Sequence, residues 1–337
     1  MTLEQLDLKD RKILYQLDID CRQSDSEIGK KVRLSKQTVA YRINGLVREN
    51  YITRFATVID TYKLGFSKYK LFISLENANK ETIAKIIDFL KHHTKTEWIA
   101  TCSGKWDIIA GYIVKNVYEF NEAVKELDNK FSEYISSRET AICLGAPHWR
   151  KEYILDNKEP HQVVFQGVEK DDFKIDNIKI DDTDEEIIKS LVNNARMPIT
   201  EIAKRLKLTP RIVDYRIKNL KQNKIILMSR IFLNLNKINW IYCKATLKFK
   251  NLTKQKYSQF FQYCNYLNNL TYVINAIGSW DIELDFEIKD FNTFHNIMLD
   301  IRDKFSDIIR NYDFVIVMNE DKLDYYPGCY PMVKKSE

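Results

Sequence analysis

Apolar positions fall at helical spacing three times between residues 10 and 54. Asp10–Asp18 puts Ile13, Leu14 and Leu17 on one face. Ser24-x-x-Glu27 is a capping box that opens a short helix through Val32, with Ile28 and Val32 inward. After a turn at Arg33-Leu34, Ser35 caps a third helix whose inward residues are Val39, Ile43, Leu46 and Val47. Beyond Arg54 the period changes. Lys70–Glu76 alternates as a strand does, and Lys80–His93 is helical through Ile83, Ile86, Ile87 and Leu90. Trp98–Cys102 and Asp107–Val114 read as strands around the hairpin signal Ser103-Gly104-Lys105. Tyr118–Phe131 is helical and Tyr134–Leu144 extended, so the order is βαββαβ, the ferredoxin-like plan.

The whole pattern occurs twice. Tyr41-Arg42-Ile43-Asn44-Gly45-Leu46 matches Tyr215-Arg216-Ile217-Lys218-Asn219-Leu220. Gly104-Lys105-Trp106-Asp107-Ile108 matches Gly278-Ser279-Trp280-Asp281-Ile282, and Lys130-Phe131-Ser132 matches Lys304-Phe305-Ser306. One offset, 174 residues, joins all three pairs, which makes the chain a tandem duplication. In the second copy the helical faces carry Ile187, Ile188 and Leu191, then Ile202 and Leu206, then Val213, Ile217 and Leu220. There Thr209-Pro210 supplies a cap followed by proline at the first helical position. The sensor elements recur at Cys243–Lys250, Lys254–Asn268, Thr271–Ile277, Ile282–Lys289, Phe291–Phe305 and Ile308–Met318.

The expected fold class is therefore α+β: two copies of a winged or three-helix helix-turn-helix domain, each followed by a ferredoxin-like βαββαβ sensor domain. The expected domains are 1–54 and 55–150, a linker 151–177 with a short strand at Val163–Phe165, then 178–229 and 230–320, and an irregular tail 321–337. A ferredoxin-like sheet leaves one face uncovered by its helices, and the natural partner is the other copy, giving an internal pseudo-dimer.

At 337 residues with 45% hydrophobic and 30% charged residues, the chain has material for several cores and a polar surface. No stretch of about 18 apolar residues suggests a membrane span, and the first residues lack a secretory pattern, so cytoplasmic residence and no membrane partner are expected. Six scattered cysteines without a Cys-x-x-Cys pair point to thiols rather than a metal site, and no metal or cofactor is expected. There is no P-loop, Gly-x-Gly-x-x-Gly, His-Glu-x-x-His or Gly-x-Ser-x-Gly, so no catalytic residues are identified.

Net charge is only +6, but its placement is uneven. Residues 30–48 hold Lys30, Lys31, Arg33, Lys36, Arg42 and Arg48 and no acid; residues 204–224 hold eight bases against Asp214. Such concentration on two short helix-turn-helix units suits DNA phosphates. Ser35, Lys36, Gln37, Thr38 and Tyr41 begin the first recognition helix and are placed for base edges, with Arg42, Asn44 and Arg48 on the backbone. Thr209, Arg211, Tyr215, Arg216 and Lys218 take corresponding places. Asp214 stands where the first copy has Ala40, which predicts a different half-site and an imperfectly palindromic operator.

The motif Leu34-Ser35-x-x-Thr38-Val39-x-x-Arg42-Ile43-x-x-Leu46, its partner in the second copy, and the Gly-x-x-Asp turns at Gly104–Asp107 and Gly278–Asp281 resemble the Lrp/AsnC (feast/famine) family of transcriptional regulators. The resemblance spans nearly everything except the linker and tail. It implies double-stranded DNA as partner, oligomeric assembly, and an amino acid or other small-molecule effector near the Gly-x-x-Asp turns. On that analogy Gly104, Trp106, Asp107, Gly278, Trp280 and Asp281 are effector-binding candidates. Two other readings stand beside it. One is an enzyme like the siroheme decarboxylases, which resemble this family and also occur as two-copy fusions; the other is an assembly protein with degenerate DNA-binding domains. The decarboxylase reading needs clustered His and Arg, whereas none of His92, His93, His148, His161 and His295 recurs between copies, and each is expected at the surface or in the linker.

Overall fold

A computed structural model describes residues 3–156, 163–167 and 178–329. In the first copy the helices α1 (Leu8–Ile19), α2 (Asp25–Val32) and α3 (Lys36–Arg48) precede β1 (Ile52–Ile59). Then follow β2 (Ser67–Leu75), α4 (Lys80–His92), β3 (Thr96–Gly104), β4 (Ile108–Val114), α5 (Val117–Phe131) and β5 (Ile135–Gly145). Two short strands, β6 (His148–Trp149) and β7 (Val163–Val164), lead to the second copy. That copy comprises α6 (Asp182–Asn193), α7 (Ile199–Leu206), α8 (Pro210–Gln222), β8 (Ile226–Leu233), β9 (Ile241–Phe249), α9 (Lys254–Cys264), β10 (Leu270–Gly278), β11 (Ile282–Ile288), α10 (Phe291–Lys304) and β12 (Ile309–Leu323).

The caps explain the helix starts. Ser24 accepts from the Glu27 amide while the Glu27 carboxylate accepts from the Ser24 amide, the expected reciprocal box. Ser35 and Thr209 cap α3 and α8 by accepting from the amides of Thr38 and Ile212. Val39, Ile43 and Leu46 are buried as expected, but Val47 is 43% exposed. It lies one residue beyond Leu46, about 100° round the helix and off the core face.

The two ferredoxin-like sheets join edge to edge. Strands run β11-β9-β12-β3-β4-β2-β5-β10, and β10 pairs back onto β11, closing an antiparallel ring of eight. Two seams unite the copies, β3 with β12 and β5 with β10, and they are equivalent: Gly104 lies opposite Val315 and Gly278 opposite Ala141. Outward residues Leu71, Ile73, Ile99, Ile108 and Ala110 pack under α4 and α5. Leu247, Val273, Leu284 and Phe286 do the same under α9 and α10. Inward residues fill the barrel, as an eight-stranded interior allows. Phe72, Trp106 and Trp280 meet there with ring centroids 4.4–5.3 Å apart.

Charges fill the rest. Lys70 and Lys244, equivalent residues of the two copies, both reach Glu283, at 2.6 and 2.8 Å. Lys244 also meets Asp285 at 2.5 Å, and Tyr242 donates to Asp285. The first copy has Ile109 and Gly111 where the second has Glu283 and Asp285, so the acids of one copy neutralise the lysines of both. Burial alone would raise the Glu283 carboxyl; Lys244 and Lys70 outweigh it and bring it down to about 2.

Sequence reading missed the connection to the helices. No wing hairpin forms within a copy. Instead β1 pairs antiparallel with β8, in the register Phe55–Ile231 and Thr57–Ser229, across the boundaries expected at 54 and 229. Each helix-turn-helix then packs on the other copy's strand. Ile231, Ile238 and Trp240 join the α1–α3 core, while Ala56, Val58 and Ile59 join that of α6–α8. Equivalent hydrogen bonds fix both, from the Cys21 amide to Ser229 O (2.8 Å) and from the Ala195 amide to Phe55 O (3.0 Å). Arg196 donates to Cys21 O and pairs with Asp25, and Arg22 donates to the carbonyls of Ala195 and Met197, so the two units touch directly.

Part of the expected linker is therefore structural. Lys151–Ile154 are buried, Tyr153 and Ile154 in the α1–α3 core, because apolar residues there find the space that β8 leaves. The expected strand is present as Val163–Val164; residues 157–162 and 168–177 lie outside the described ones. The expected irregular tail is also partly ordered. Strand β12 runs through Leu323, and Tyr325, Tyr326 and Cys329 bury against α6–α8.

Two predictions follow from the barrel. Glu283→Leu strands the buried Lys70, leaving Lys244 with Asp285 alone, and costs about 3–5 kcal/mol, whereas Lys70→Met leaves Glu283 paired with Lys244 and costs clearly less, as denaturant melts will measure. Because Glu283 is depressed from about 4.5 to about 2, its contribution is present above pH ~4.5 and lost as pH falls toward 2; Glu283→Leu flattens that window. At the seam, a Cβ on Gly278 would come 2.5 Å from Thr140 O, and its φ is +155°. Gly278→Ala therefore costs more than about 1 kcal/mol, while Gly45→Ala, in an open helical position, is neutral or stabilising by up to about 1 kcal/mol.

Candidate nucleic-acid interface

On α3 the residues Lys36, Gln37, Tyr41, Asn44 and Arg48 are exposed, with Thr38 and Arg42 partly so. On α8 Arg211, Tyr215 and Lys218 are exposed, and Asp214 and Arg216 partly so. Tyr41 and Tyr215, at equivalent positions, are 72% and 70% exposed. Lys30, Lys31 and Arg33 on and beside α2, and Lys204, Arg205 and Lys207 on and beside α7, extend each cationic face. Arg33 and Lys207 both take the left-handed conformation, φ 58° and 56°, that turns the chain into the third helix. The two units thus present the same frame.

Two expected backbone-binding residues are already engaged. Arg42 pairs with Asp7 and Asp10, at 3.1 and 2.9 Å. Arg216 pairs with Asp181 and Asp184, the equivalent residues, at 2.8 and 2.9 Å. These pairs tie each third helix to the start of its first, and their hydrogen bonds hold both guanidinium groups above the usual arginine value. Lys218 pairs with Asp214 one turn away at 2.7 Å. Arg205 pairs with Glu201 one turn away, and Lys30, Lys31, Arg33, Lys36, Arg48, Lys204, Lys207 and Arg211 carry the unneutralised charge.

The Gly-x-x-Asp turns lie at the barrel seams. Trp106 and Trp280 are 1% and 3% exposed inside the barrel, their indole N–H groups donating to Glu139 and Glu283. The Asp107 and Asp281 carboxylates accept from the amides of Leu75 and Phe249, both at 2.7 Å. Gly104 lets the β12 backbone approach, since a Cβ there would lie 3.0 Å from Phe314 O. All six residues therefore have structural tasks, the glycines at the seams and the others within each copy.

Sequence reasoning did not find the aromatic-walled cavity at one barrel end. It measures about 80 Å³ and is walled by Tyr62, Trp98, Tyr242, Tyr272, Tyr325 and His148. His148, expected at the surface or in the linker, is buried instead, because β6 pairs with β10 and brings it edge-on to Tyr272, ring centroids 4.9 Å apart. Its Nε2 meets Gln166 Oε1 at 3.3 Å, and Nδ1 has no hydrogen-bond partner among the described residues. Burial, then the nearby Arg230 charge, pushes the imidazole down to about 3, so it is neutral. His92 and His295 are exposed, His93 is half-buried, and His161 lies outside the described residues. All six cysteines are buried free thiols, and no described helix is long and apolar enough to cross a membrane.

Comparison with known proteins places this geometry. The AsnC-type helix-turn-helix domain matches twice, at residues 6–47 and 180–221. An uncharacterized HTH-type transcriptional regulator of Pyrococcus horikoshii is 30% identical over 145 residues, covering 43% of this chain and 90% of that protein. The HTH-type transcriptional regulator LrpC of Bacillus subtilis is 30% identical over 135 residues, 40% of this chain and 87% of its own length. Each such relative thus matches about one copy. Over the whole chain, the solved siroheme decarboxylase NirDL superposes with a TM-score of 0.63, covering 96% of both chains at 11% identity, a likeness of fold alone. With both helix-turn-helix units matched and the relatives nearly fully covered, the chain belongs to the Lrp/AsnC family of helix-turn-helix transcriptional regulators, in a form that carries two copies of the unit.

Proposed function

We propose that this regulator docks α3 and α8 in successive major grooves of one DNA duplex, half-sites about one turn (~34 Å) apart. The observation that carries the reading is the repetition of one exposed cationic helix face on units related by the β1–β8 pairing. In this reading Lys36, Gln37, Thr38 and Tyr41, with Arg211 and Tyr215, turn toward base edges. Asn44, Arg48 and Lys218 line the phosphates, and Ser35 and Thr209 set the entry of each helix through their caps. Arg42 and Arg216 act as struts that aim the helices. Transcription is controlled by occupancy of the promoter or by bending of its DNA.

The decarboxylase alternative meets a size problem at the barrel end, and the larger cleft between α4 and α5, about 830 Å³, is an open surface lined by His92, His93 and Lys95 but by no arginine among the described residues. The aromatic-walled cavity, at about 80 Å³, is well below the ~300–1,000 Å³ of sites that enclose drug-sized ligands, and a tetrapyrrole is larger still. A DNA-binding regulator needs no such volume.

Fluorescence anisotropy on a promoter fragment from 50 to 200 mM salt tests the docking. Replacing Lys30, Arg48, Lys204 and Lys221 by Ala lowers the magnitude of the log–log salt slope by roughly 3 to 4 and weakens binding similarly on all sequences. An unchanged slope in that variant would refute this face as the DNA contact.

A further inference from the structure

Resting on the docking above, we infer that the two recognition helices read different bases at one equivalent position, Gln37 an adenine and Arg211 a guanine. The operator is then a sequence with a direction.

The comparison is made in one frame. Ser35 and Thr209 cap the two helices in the same way, and Arg33 and Lys207 turn the chain identically before them. Val39, Ile43 and Leu46 on α3 are buried as Val213, Ile217 and Leu220 are on α8. The second residue of each helix is therefore held in the same place, and it is Gln37 in one copy and Arg211 in the other. Both are exposed, and no hydrogen bond or ion pair holds either side chain among the described residues.

Some of the other differences between the faces are absorbed. Asp214 and Lys218 replace Ala40 and Asn44, but they pair with each other and add no net charge. The Thr38 hydroxyl lies 2.9 Å from that of its own cap, Ser35. Lys36 against Pro210, Thr38 against Ile212 and Arg48 against Gln222 also differ, but at the second position of each helix the contrast is one unengaged amide against one unengaged guanidinium. An amide both donates and accepts, matching adenine N6 and N7, whereas a guanidinium only donates, matching guanine O6 and N7.

Geometry then fixes the arrangement of the operator. Strands β1 and β8 pair antiparallel through equivalent residues, so the two units are related by an approximate twofold axis. Their half-sites form an inverted repeat, broken at the base pair that Gln37 and Arg211 contact. A chain bound to it has a defined left and right.

Selection of bound duplexes from a randomised pool by the full chain, repeated with Arg211→Gln and Gln37→Arg, tests the inference. The natural chain should enrich an inverted repeat with A in one half and G at the matching place in the other. Arg211→Gln should turn that G into A, with on the order of a 10- to 100-fold loss on the original operator, and Gln37→Arg should make both halves read G. A perfect palindrome from the natural chain would overturn the inference and leave the docking intact. So would uniform weakening by Arg211→Gln with unchanged selected bases, which would put Arg211 on a phosphate. Absence of salt-sensitive binding to any duplex would remove the docking itself, and this inference with it.

Discussion

Charge balance inside the barrel is the constraint on which the architecture rests. Lys70 and Lys244 cannot sit in an enclosed interior without carboxylates, and both depend on Glu283, with Asp285 completing the set. Two first-copy sheets pairing with each other would bring together two lysines and, at the positions of those acids, only Ile109 and Gly111. Two second-copy sheets would bring two lysines against four acids. Only the mixed pairing is neutral, so the sequence differences between the copies favour the intramolecular ring over either like-with-like pairing.

From that ring the DNA-binding units take their positions. The β1–β8 ribbon is short, but each of its strands serves as floor for the opposite copy's helices. The packing is not fully symmetric. Beneath α1 a buried pair, Arg230 with Asp18 at 2.8 Å, fills a place where the other side has Ala56 and Val192. Asp18 also accepts from the Lys151 amide, which binds the segment between the copies into the same joint. At this place one unit is held by a buried ion pair and the other by apolar contact.

How much of this was legible follows the range of the interactions. The capping box at Ser24 and Glu27, the caps at Ser35 and Thr209, and the 174-residue offset depend on neighbours or on simple comparison, and the sequence carries them openly. The ribbon and the seams pair residues 130 or more positions apart, and no local pattern marks them. The run Ile282–Ile288 alternates apolar and acidic residues, as a strand with one wet face does; its acids instead face a closed interior. His148 was misjudged for the same reason, since its burial comes from a distant strand. Of the candidate site, the exposed face of each third helix was readable from the helical period, while the engagement of Arg42 and Arg216 by acids 32 to 35 residues earlier was not.

Placing both recognition helices on one polypeptide changes how binding scales with abundance. A regulator assembled from separate subunits must first find its twin, so at low copy number its active fraction falls with dilution. Here the ribbon and the ring are formed by a single folding event, and the second helix is always at a fixed distance from the first. In the proposed docking, occupancy of a promoter at low abundance rises in proportion to the number of chains, with no prior pairing of the two helices.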